Sequence, residues 1–368
     1  MKKYLILIFL ISSLIINSTT GQITDNSGGE PGEIYLRLKN INFLKNNEYF
    51  NPVIEGYTLI GYFLKPEIVY WPAENFNLRL GTHILKYAGT EKFSQIKPVF
   101  SASWNFIEST TLTVGSLEGC DKHKMSDPHF NSERLYNASY AEDGLQIKTT
   151  SNHFFNDAWI SWENFIYKGD NTREVFTAGE SFKYTSSPVS DLINFEIPVQ
   201  IQFKHFGGQI SNYPEHMETY FNLATGTRIN FDIAEKKYGQ AGFEYNLFLS
   251  NELTGHSSSS IGVGRGNWYR LHYTYKSIYF GAAYWKSHNF FAPNGNTIYS
   301  SISDYQNVII ANRRIITNWL SLTLLPESFF ELFLGLETYY DIDLKRLDNA
   351  VTLHLNFDKF IKLATLKK

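Results

Sequence analysis

The chain has 368 residues and a formal net charge of −3, and 43% of its residues are hydrophobic. Such a mild acidic balance argues against a nucleic-acid partner, which would need a concentrated basic patch. The single cysteine, Cys120, excludes an intramolecular disulfide, so stability must come from a large core or a closed hydrogen-bonded barrel.

The first 21 residues have the layout of a secretory signal peptide. Lys2 and Lys3 precede a continuous apolar run over residues 4–16, and small or polar residues follow it up to Gly21. The run is too short for a transmembrane helix. We place cleavage near Gly21, which removes both lysines and changes the net charge from −3 to −5. The alternative is an N-terminal helix that is retained in the fold.

The rest of the sequence is dominated by alternation of apolar and polar residues. Residues 193–204 read INFEIPVQIQFK, with an apolar residue at every odd position and a polar residue or proline at every even one. A period of two gives a strand two chemically different faces. Runs of this kind predict about sixteen strands, near 33–42, 57–70, 76–86, 95–106, 111–117, 143–149, 154–165, 174–184, 192–206, 219–233, 238–249, 268–275, 278–287, 308–324, 329–340 and 347–360.

The predicted connections alternate between long and short along the chain. An up-and-down barrel gives this order, because its tight turns lie at one end and its loops at the other. A Greek-key sandwich would scramble the order, and a soluble antiparallel sheet of this size would split into two packed sheets. We therefore predict an all-β fold, a closed up-and-down antiparallel transmembrane β-barrel with short periplasmic turns and long outer loops. The barrel would span 33–360, between a short N-terminal periplasmic segment (22–32) and a C-terminal tail (361–368).

Three prolines count against this prediction. Pro66, Pro98 and Pro198 fall inside predicted strands, and proline removes a donor from the hydrogen-bond ladder. A closed barrel has no edge strand to accommodate them. Either they mark bulges or strand ends above the membrane, or the predicted register is wrong at those positions.

Six stretches of the sequence carry a family resemblance: GYTLIGYFLKPE (56–67), VGSLEG (114–119), DPHFNSERLY (127–136), EDGLQIK (142–148), DAWISWENF (157–165) and LNFDK (355–359). Together they resemble a family of porin-like outer-membrane barrels of the Bacteroidetes lineage, over nearly the whole mature chain. The resemblance implies a barrel in the outer membrane of a Gram-negative bacterium, without an activity or catalytic residues. The last strand departs from the simplest pattern, because residues 361–368 continue past the aromatic Phe360.

If the apolar face of each strand contacts lipid, the other face lines the lumen. The candidate lumen-lining residues are Arg79, His83, Lys97, Glu163, Glu196, Lys204, Arg228, Asp232, Glu244, Arg270, His272 and His354. One hypothesis is that these charges bias which solutes pass through the pore. The alternative is that they are ordinary solvated or mutually paired residues, since every such barrel must line its lumen with polar groups.

The connection 118–142 is too long for an idle turn and rich in charge. It would be the third loop on the outer side, and it resembles in position the loop that folds inward in porins. The candidate constriction residues are Asp121, Lys122, His123, Lys124, Asp127, Glu133 and Arg134. The alternative is an external flap over the mouth of the barrel.

Two groups of residues invite a chemical interpretation. The spacing C-x2-H-x5-H in the same loop matches no strong zinc pattern, although the loop holds Cys120, His123, Asp127 and His129. His256 precedes the serine run 257–260, as in a lipase on a barrel wall, but the run has the composition of a flexible loop tip. We therefore expect no metal, no cofactor and no catalytic residues, and the chain is predicted not to be an enzyme.

These inferences favour a porin-like outer-membrane channel for passive diffusion of small polar solutes. Its partners would be outer-membrane lipid and the solutes themselves, with no nucleic acid. A second hypothesis is a non-conducting barrel, blocked by its loops, that serves as a subunit of a larger outer-membrane complex. A third is an outer-membrane phospholipase.

Overall fold

A computed structural model describes residues 29–187, 192–234, 237–255, 262–324 and 330–366. The predicted signal peptide and His256 lie outside these ranges. Within them, no helix has the length and apolar character needed to cross a membrane.

The described residues form one closed barrel of sixteen antiparallel strands, which confirms the predicted fold class. Each strand pairs with its neighbours in sequence, and β1 closes the barrel by pairing with β16. The strands are β1 (Glu33–Glu48), β2 (Tyr57–Ala73), β3 (Phe76–Tyr87), β4 (Gln95–Ile107), β5 (Thr110–Ser116), β6 (Asp143–Thr150), β7 (Phe154–Asn164), β8 (Glu174–Thr185), β9 (Ile193–Gly207), β10 (Glu218–Asp232), β11 (Gln240–Glu252), β12 (Gly264–Tyr275), β13 (Ile278–His288), β14 (Asn312–Leu324), β15 (Glu331–Asp341) and β16 (Arg346–Thr365).

The two ends of the barrel differ in their connections. The short-turn end holds tight turns such as 74–75 and 276–277, and the loop end holds the long connections 117–142 and 289–311. The alternation predicted from the sequence is therefore present along most of the chain. The last connection, 342–345, is an exception, because it is short although it lies at the loop end.

Four strand boundaries differ from the predicted ones by four residues or more. β1 ends at Glu48 rather than at residue 42, and β12 begins at Gly264 rather than at residue 268. β14 begins at Asn312 rather than at residue 308, because the preceding segment folds on itself through a bridge between Ile302 and Ile309. β16 continues to Thr365, so residues 361–365 of the predicted tail pair with β1.

The two faces of β9 have the chemistry that its sequence predicts. Glu196, Gln200, Gln202 and Lys204 point into the barrel and are buried there. Ile197 lies on the outside and is 46% exposed. Because one strand carries both environments, the period of two in the sequence corresponds directly to an inner and an outer surface.

The three prolines are accommodated by missing pairs in the ladder. Pro66 interrupts the pairing of β2 with β3, and Pro198 interrupts that of β9 with β10, each over two residues. The register is the same on both sides of each gap, so of the alternatives considered, neither of these two prolines marks a bulge. Pro98 lies beyond the last pair between β4 and β5, which joins Ser101 to Gly115.

A row of aromatic side chains crosses the outer wall. Tyr245, Tyr269, Tyr284 and Tyr340 occupy one register row on β11, β12, β13 and β15. The ring centroids of the first two lie 5.1 Å apart, and those of Tyr269 and Tyr284 lie 6.4 Å apart. Aromatic girdles of this kind mark the membrane–water interface of outer-membrane barrels.

Candidate functional site

Residues 117–142 fold back from the loop end into the lumen, and we call them the plug loop. Gln200 on β9 accepts hydrogen bonds from the amide (3.1 Å) and the hydroxyl (2.7 Å) of Ser126. The Tyr136 hydroxyl lies 3.0 Å from Nδ1 of His354 on β16. Because these partners point inward from distant strands, the plug loop lies inside the barrel rather than over its mouth. Its three short 3-10 helices are Cys120–His123, Ser132–Tyr136 and Ala138–Tyr140.

His123 is fully buried in the plug loop between two carboxylates. Its Nε2 lies 2.7 Å from Oε2 of Glu142, and its Nδ1 lies 3.1 Å from Oδ2 of Asp157 on β7. The imidazole stacks on Trp159 with the centroids 3.6 Å apart. That indole covers Gly179, where a Cβ atom would meet it at 2.4 Å. Since both ring nitrogens face acceptors, the arrangement suits an imidazolium that donates twice.

The charge state of His123 follows from two opposing effects. Burial lowers the pKa of His123, but the negative charges of Glu142 and Asp157 raise it more, so that the pKa is about 9. The imidazolium therefore persists at neutral pH and ties the plug loop to the barrel wall through a charge-assisted pair on each side.

Glu133 attaches the plug loop to the opposite side of the lumen. Asn47 Nδ2 donates to its two carboxylate oxygens at 3.1 and 3.0 Å, and the Tyr57 hydroxyl donates to one of them. The Lys45 ammonium lies 3.4 Å away. Since all three partners belong to β1 and β2, Glu133 and His123 hold the loop between distant parts of the wall.

Residues 289–311 form a second inward loop that packs against the plug loop. Asp127 accepts a hydrogen bond from Asn296 Nδ2 at 2.7 Å. The Asn131 amide donates to the Asn294 carbonyl at 2.7 Å, and Arg134 donates to the Asn294 side chain at 3.2 Å. The two loops therefore form one interlocked body in the lumen.

Two features fix the second inward loop. At Gly295 a Cβ atom would lie 2.2 Å from the Pro128 carbonyl oxygen, so this close approach requires glycine. Arg313 is fully buried and donates to Asp341 at 2.8 Å and to the Ser300 carbonyl at 2.5 Å. Sequence reasoning missed this loop, although the length of the predicted connection after β13 was a usable signal.

A cluster of wall charges holds the start of the plug loop. Glu118 lies 2.8 Å from Arg79 and 3.2 Å from Arg37. Arg37 also contacts Asp358 at 2.8 Å, and Glu67 lies within 3.7 Å of both arginines. Positive and negative groups alternate in this cluster, so their charges are largely neutralised locally.

The structure divides the seven predicted constriction residues into two groups. His123, Asp127, Glu133 and Arg134 form the contacts that hold the two loops. Asp121 and Lys124 are exposed, and Lys122 lies 3.9 Å from Asp121. Only three of the seven predicted constriction residues, Asp121, Lys122 and Lys124, are thus available to a solute. A role of these residues in selecting solutes stays a prediction.

Two cavities lie between the plug loop and the short-turn end. One of about 270 Å³ is lined by Trp268, Arg270, Trp319 and Glu337. The other, of about 220 Å³, is lined in part by Lys183 and shares Arg270 and Trp268 with the first. The Arg270 guanidinium lies 5.3 Å from the Trp268 ring and 5.5 Å from the Trp319 ring. The cavities therefore combine aromatic walls with a central cation.

Several ion pairs lie in the same part of the lumen as the two cavities. Arg228 contacts Glu244 at 2.8 Å and Glu196 at 3.1 Å. Lys183 contacts Glu196 at 2.8 Å, and Arg270 lies 3.5 Å from Glu244. The Arg228 and Lys183 side chains retain 32% and 36% of their exposure, so these pairs border open space.

All twelve predicted lumen-lining residues lie on inward-facing positions of their strands. Their surroundings differ around the barrel. Arg79 and His83 are buried beneath the plug loop, whereas His272 stacks on Tyr279 and is partly exposed. Their predicted influence on solutes therefore concerns mainly the part of the wall that the plug loop leaves uncovered.

The histidines and Cys120 of the plug loop, which the sequence does not predict to be a metal site, do not converge in the structure. Within the described ranges, no three His, Cys, Asp or Glu side chains converge around a point that could hold a metal ion. Cys120 is a buried free thiol whose pKa is raised by burial. His129 is fully buried near Phe248.

The outer wall carries an imidazole–hydroxyl pair near the loop end. Nδ1 of His205 on β9 lies 2.9 Å from the hydroxyl of Thr219 on β10. The imidazole stacks on Phe176 at 4.9 Å. Because β9 ends two residues later at Gly207, the pair lies near the loop-end rim of the outer wall.

Comparison with solved structures identifies barrels of the same architecture. The loop L8 deletion mutant of OmpT, an outer membrane protein of Vibrio cholerae, aligns with a TM-score of 0.52 and 12% identity, over 89% of this chain and 98% of that one. OccK8 (OprE) of Pseudomonas aeruginosa aligns with a TM-score of 0.51 and 11% identity, over 90% of this chain and 100% of that one. At such identities the likeness is one of fold, that of outer-membrane barrels. No curated protein matches the chain.

A family model described as "Lipid A 3'-O-deacylase-type" matches residues 24–366. This match supports an outer-membrane barrel family but does not specify the Bacteroidetes lineage. Because a deacylase is an enzyme, the match also contradicts the prediction that the chain is not an enzyme. The chain belongs to the Lipid A 3'-O-deacylase-type family.

Proposed function

We propose that the barrel is a gated channel for small polar solutes in the outer membrane. The observation that carries this proposal is the interlocked pair of inward loops above two charged cavities near the short-turn end. Sixteen strands enclose a lumen wide enough for an aqueous path. Since the inward loops occupy that lumen, solute passage requires them to shift.

The two inward loops are the proposed gate, and the hydrogen bond between Asp127 and Asn296 joins them. Removing this bond should allow the loops to move more easily. Asp127 also accepts hydrogen bonds from the amide (2.9 Å) and hydroxyl (2.8 Å) of Ser132. Replacing it with alanine removes one of the side-chain hydrogen bonds between the loops without altering the wall. Asp121→Ala is the matched control, because Asp121 is an exposed carboxylate of the same loop.

Planar-bilayer conductance tests the channel. We expect rare, brief openings for the unaltered protein and at least several-fold longer open times for Asp127→Ala, with Asp121→Ala unchanged. Silence of all three proteins at high protein density would contradict the channel. Equal conductance of all three would contradict the gate.

A second candidate function is hydrolysis of an acyl ester at the outer wall. Family membership and the His205–Thr219 pair favour it. In such a reaction the imidazole takes the proton of the Thr219 hydroxyl while the oxygen attacks the ester carbonyl, and the protonated imidazole returns the proton to the departing alcohol. Water then releases the fatty acid from the acyl-threonine and restores the hydroxyl.

Fatty-acid release from an acylated glycolipid tests the second candidate. Thr219→Val keeps the shape of the side chain and removes the hydroxyl, so we expect release to fall at least a hundredfold. Thr227→Val on the same outward face of β10 is the matched control. Release that survives Thr219→Val would exclude this pair as the source of the activity.

A further inference from the structure

A basic cluster lies on the outward face of β12, β13 and β14 near the loop end. It consists of Arg265, Lys286, His288 and Arg314, all exposed. Arg265 pairs with His288, and Lys286 pairs with Arg314. Paired positions on neighbouring strands are about 5 Å apart. The four side chains therefore form a zigzag over three strands, in which Arg265 and Lys286 are diagonal neighbours.

The basic cluster lies directly beside the tyrosine row on the outer wall. Lys286 is two residues nearer the loop end than Tyr284 on the same strand, and both point outward. That spacing corresponds to about 7 Å along the strand. If the tyrosine row marks the interface, the basic cluster lies at the level of lipid headgroups.

Part of the positive charge in the basic cluster has no internal partner. Arg314 is paired with Asp343 in the turn 342–345, at 2.6 Å, and His288 Nδ1 lies 2.9 Å from Asn312 Oδ1. Arg265 and Lys286 have no hydrogen-bond or ion-pair partner among the residues that the structure describes. A guanidinium and an ammonium at diagonal positions of neighbouring strands repel one another, so an anion bound between them would stabilise both.

Another outward-facing lysine near the loop end has a different environment. The Lys86 ammonium on β3 donates hydrogen bonds to the carbonyl oxygens of Thr90 and Lys92 in its own loop. Its charge is therefore solvated by the protein. The contrast indicates that the basic cluster is arranged for an external anion rather than for the loop above it.

We propose that the basic cluster binds the phosphate group of a lipid headgroup in the surrounding leaflet. A phosphomonoester carries about −1.5 to −2 charges and several strong acceptor oxygens, which suit an arginine–lysine pair. The lipid origin follows from position, because the cluster faces the membrane beside the tyrosine row and not the lumen. This site goes beyond both proposed functions, since it includes neither the inward loops nor the His205–Thr219 pair.

Binding of phosphatidic acid to the detergent-solubilised full-length barrel tests the proposal. We expect retention of phosphatidic acid but not of diacylglycerol, which has the same chains and no phosphate. The double variant Arg265→Gln/Lys286→Gln should bind phosphatidic acid at least tenfold more weakly, whereas Lys86→Gln should bind it as the unaltered protein does. Different migration of boiled and unboiled samples on gels verifies that each variant is folded.

Three results would overturn the proposal. Equal retention of diacylglycerol would mean that the acyl chains alone are recognised. Unchanged binding by the double variant would place the phosphate elsewhere. Competition by inorganic phosphate at the same concentration as the lipid would mean a site for free anions rather than for a lipid headgroup.

Discussion

The two halves of the lumen are built from the same strands but have different interiors. In the half that the two inward loops fill, charges such as His123 and Arg313 are fully buried and bound through those loops. In the other half, Arg228, Lys183 and Arg270 border cavities. The alternation of the strands is the same in both halves. A strand pattern therefore determines which side chains point inward, whereas the loops determine which of them meet solvent.

The largest expected effect is the loss of His123. His123→Ala leaves the carboxylates of Glu142 and Asp157 buried without their shared cation, so the free energy of unfolding should fall by about 3–5 kcal/mol. Urea denaturation followed by tryptophan fluorescence measures this change. His272→Ala is the control in the other half, where a partly exposed imidazole stacks on Tyr279. A similar loss for both variants would remove the distinction between the halves.

The next prediction tests which face of β9 contacts lipid and which faces the lumen. Val199→Lys places a charge on the lipid side near the middle of β9 and should cost about 2–4 kcal/mol. Gln200→Lys faces the lumen but loses two hydrogen bonds from Ser126, so its cost should be about 1–2 kcal/mol. Denaturation of both variants in the same lipid measures the difference. A larger loss for Gln200→Lys would reverse the assignment of the two faces.

A smaller effect is the pH dependence of the half that the inward loops fill. The pKa of His123 is raised from an ordinary 6.5 to about 9, so its stabilisation is fully present below pH 6.5 and lost as the pH rises through about 9. The free energy of unfolding should fall by about 2 kcal/mol between about pH 6 and about pH 8. Denaturation at both pH values checks the slope, and His123→Gln should flatten it. An equal slope in that variant would assign the dependence to other groups.

The sequence predicted the strands of the barrel wall better than the contacts of the loops inside the barrel. The alternation in β9 was enough to predict that Gln202 points inward and Ile197 outward, because strand geometry is local. The contact of His123 with Asp157 joins a loop to a strand 34 residues away, and no local pattern encodes that distance. Asn294 and Asn296 carry no periodic signal at all. The enzyme prediction failed because it rested on local motifs, whereas the family match extends over residues 24–366.

The smallest expected effect is the loss of Lys183, which is compared with the loss of a second inward lysine, Lys45. Lys183 pairs with Glu196 at 2.8 Å but keeps 36% of its side-chain exposure, so solvent screens the pair and Lys183→Gln should cost below about 1 kcal/mol. Lys45 lies 2.9 Å from Glu337 and 3.4 Å from Glu133 with 3% side-chain exposure, and Lys45→Gln should cost about 2–3 kcal/mol. Both substitutions remove one positive charge from the inner wall and keep a hydrogen-bonding side chain. Urea denaturation of the pair therefore isolates the contribution of the inward loops. Equal costs would mean that the loops leave the half that they fill as open to water as the other half.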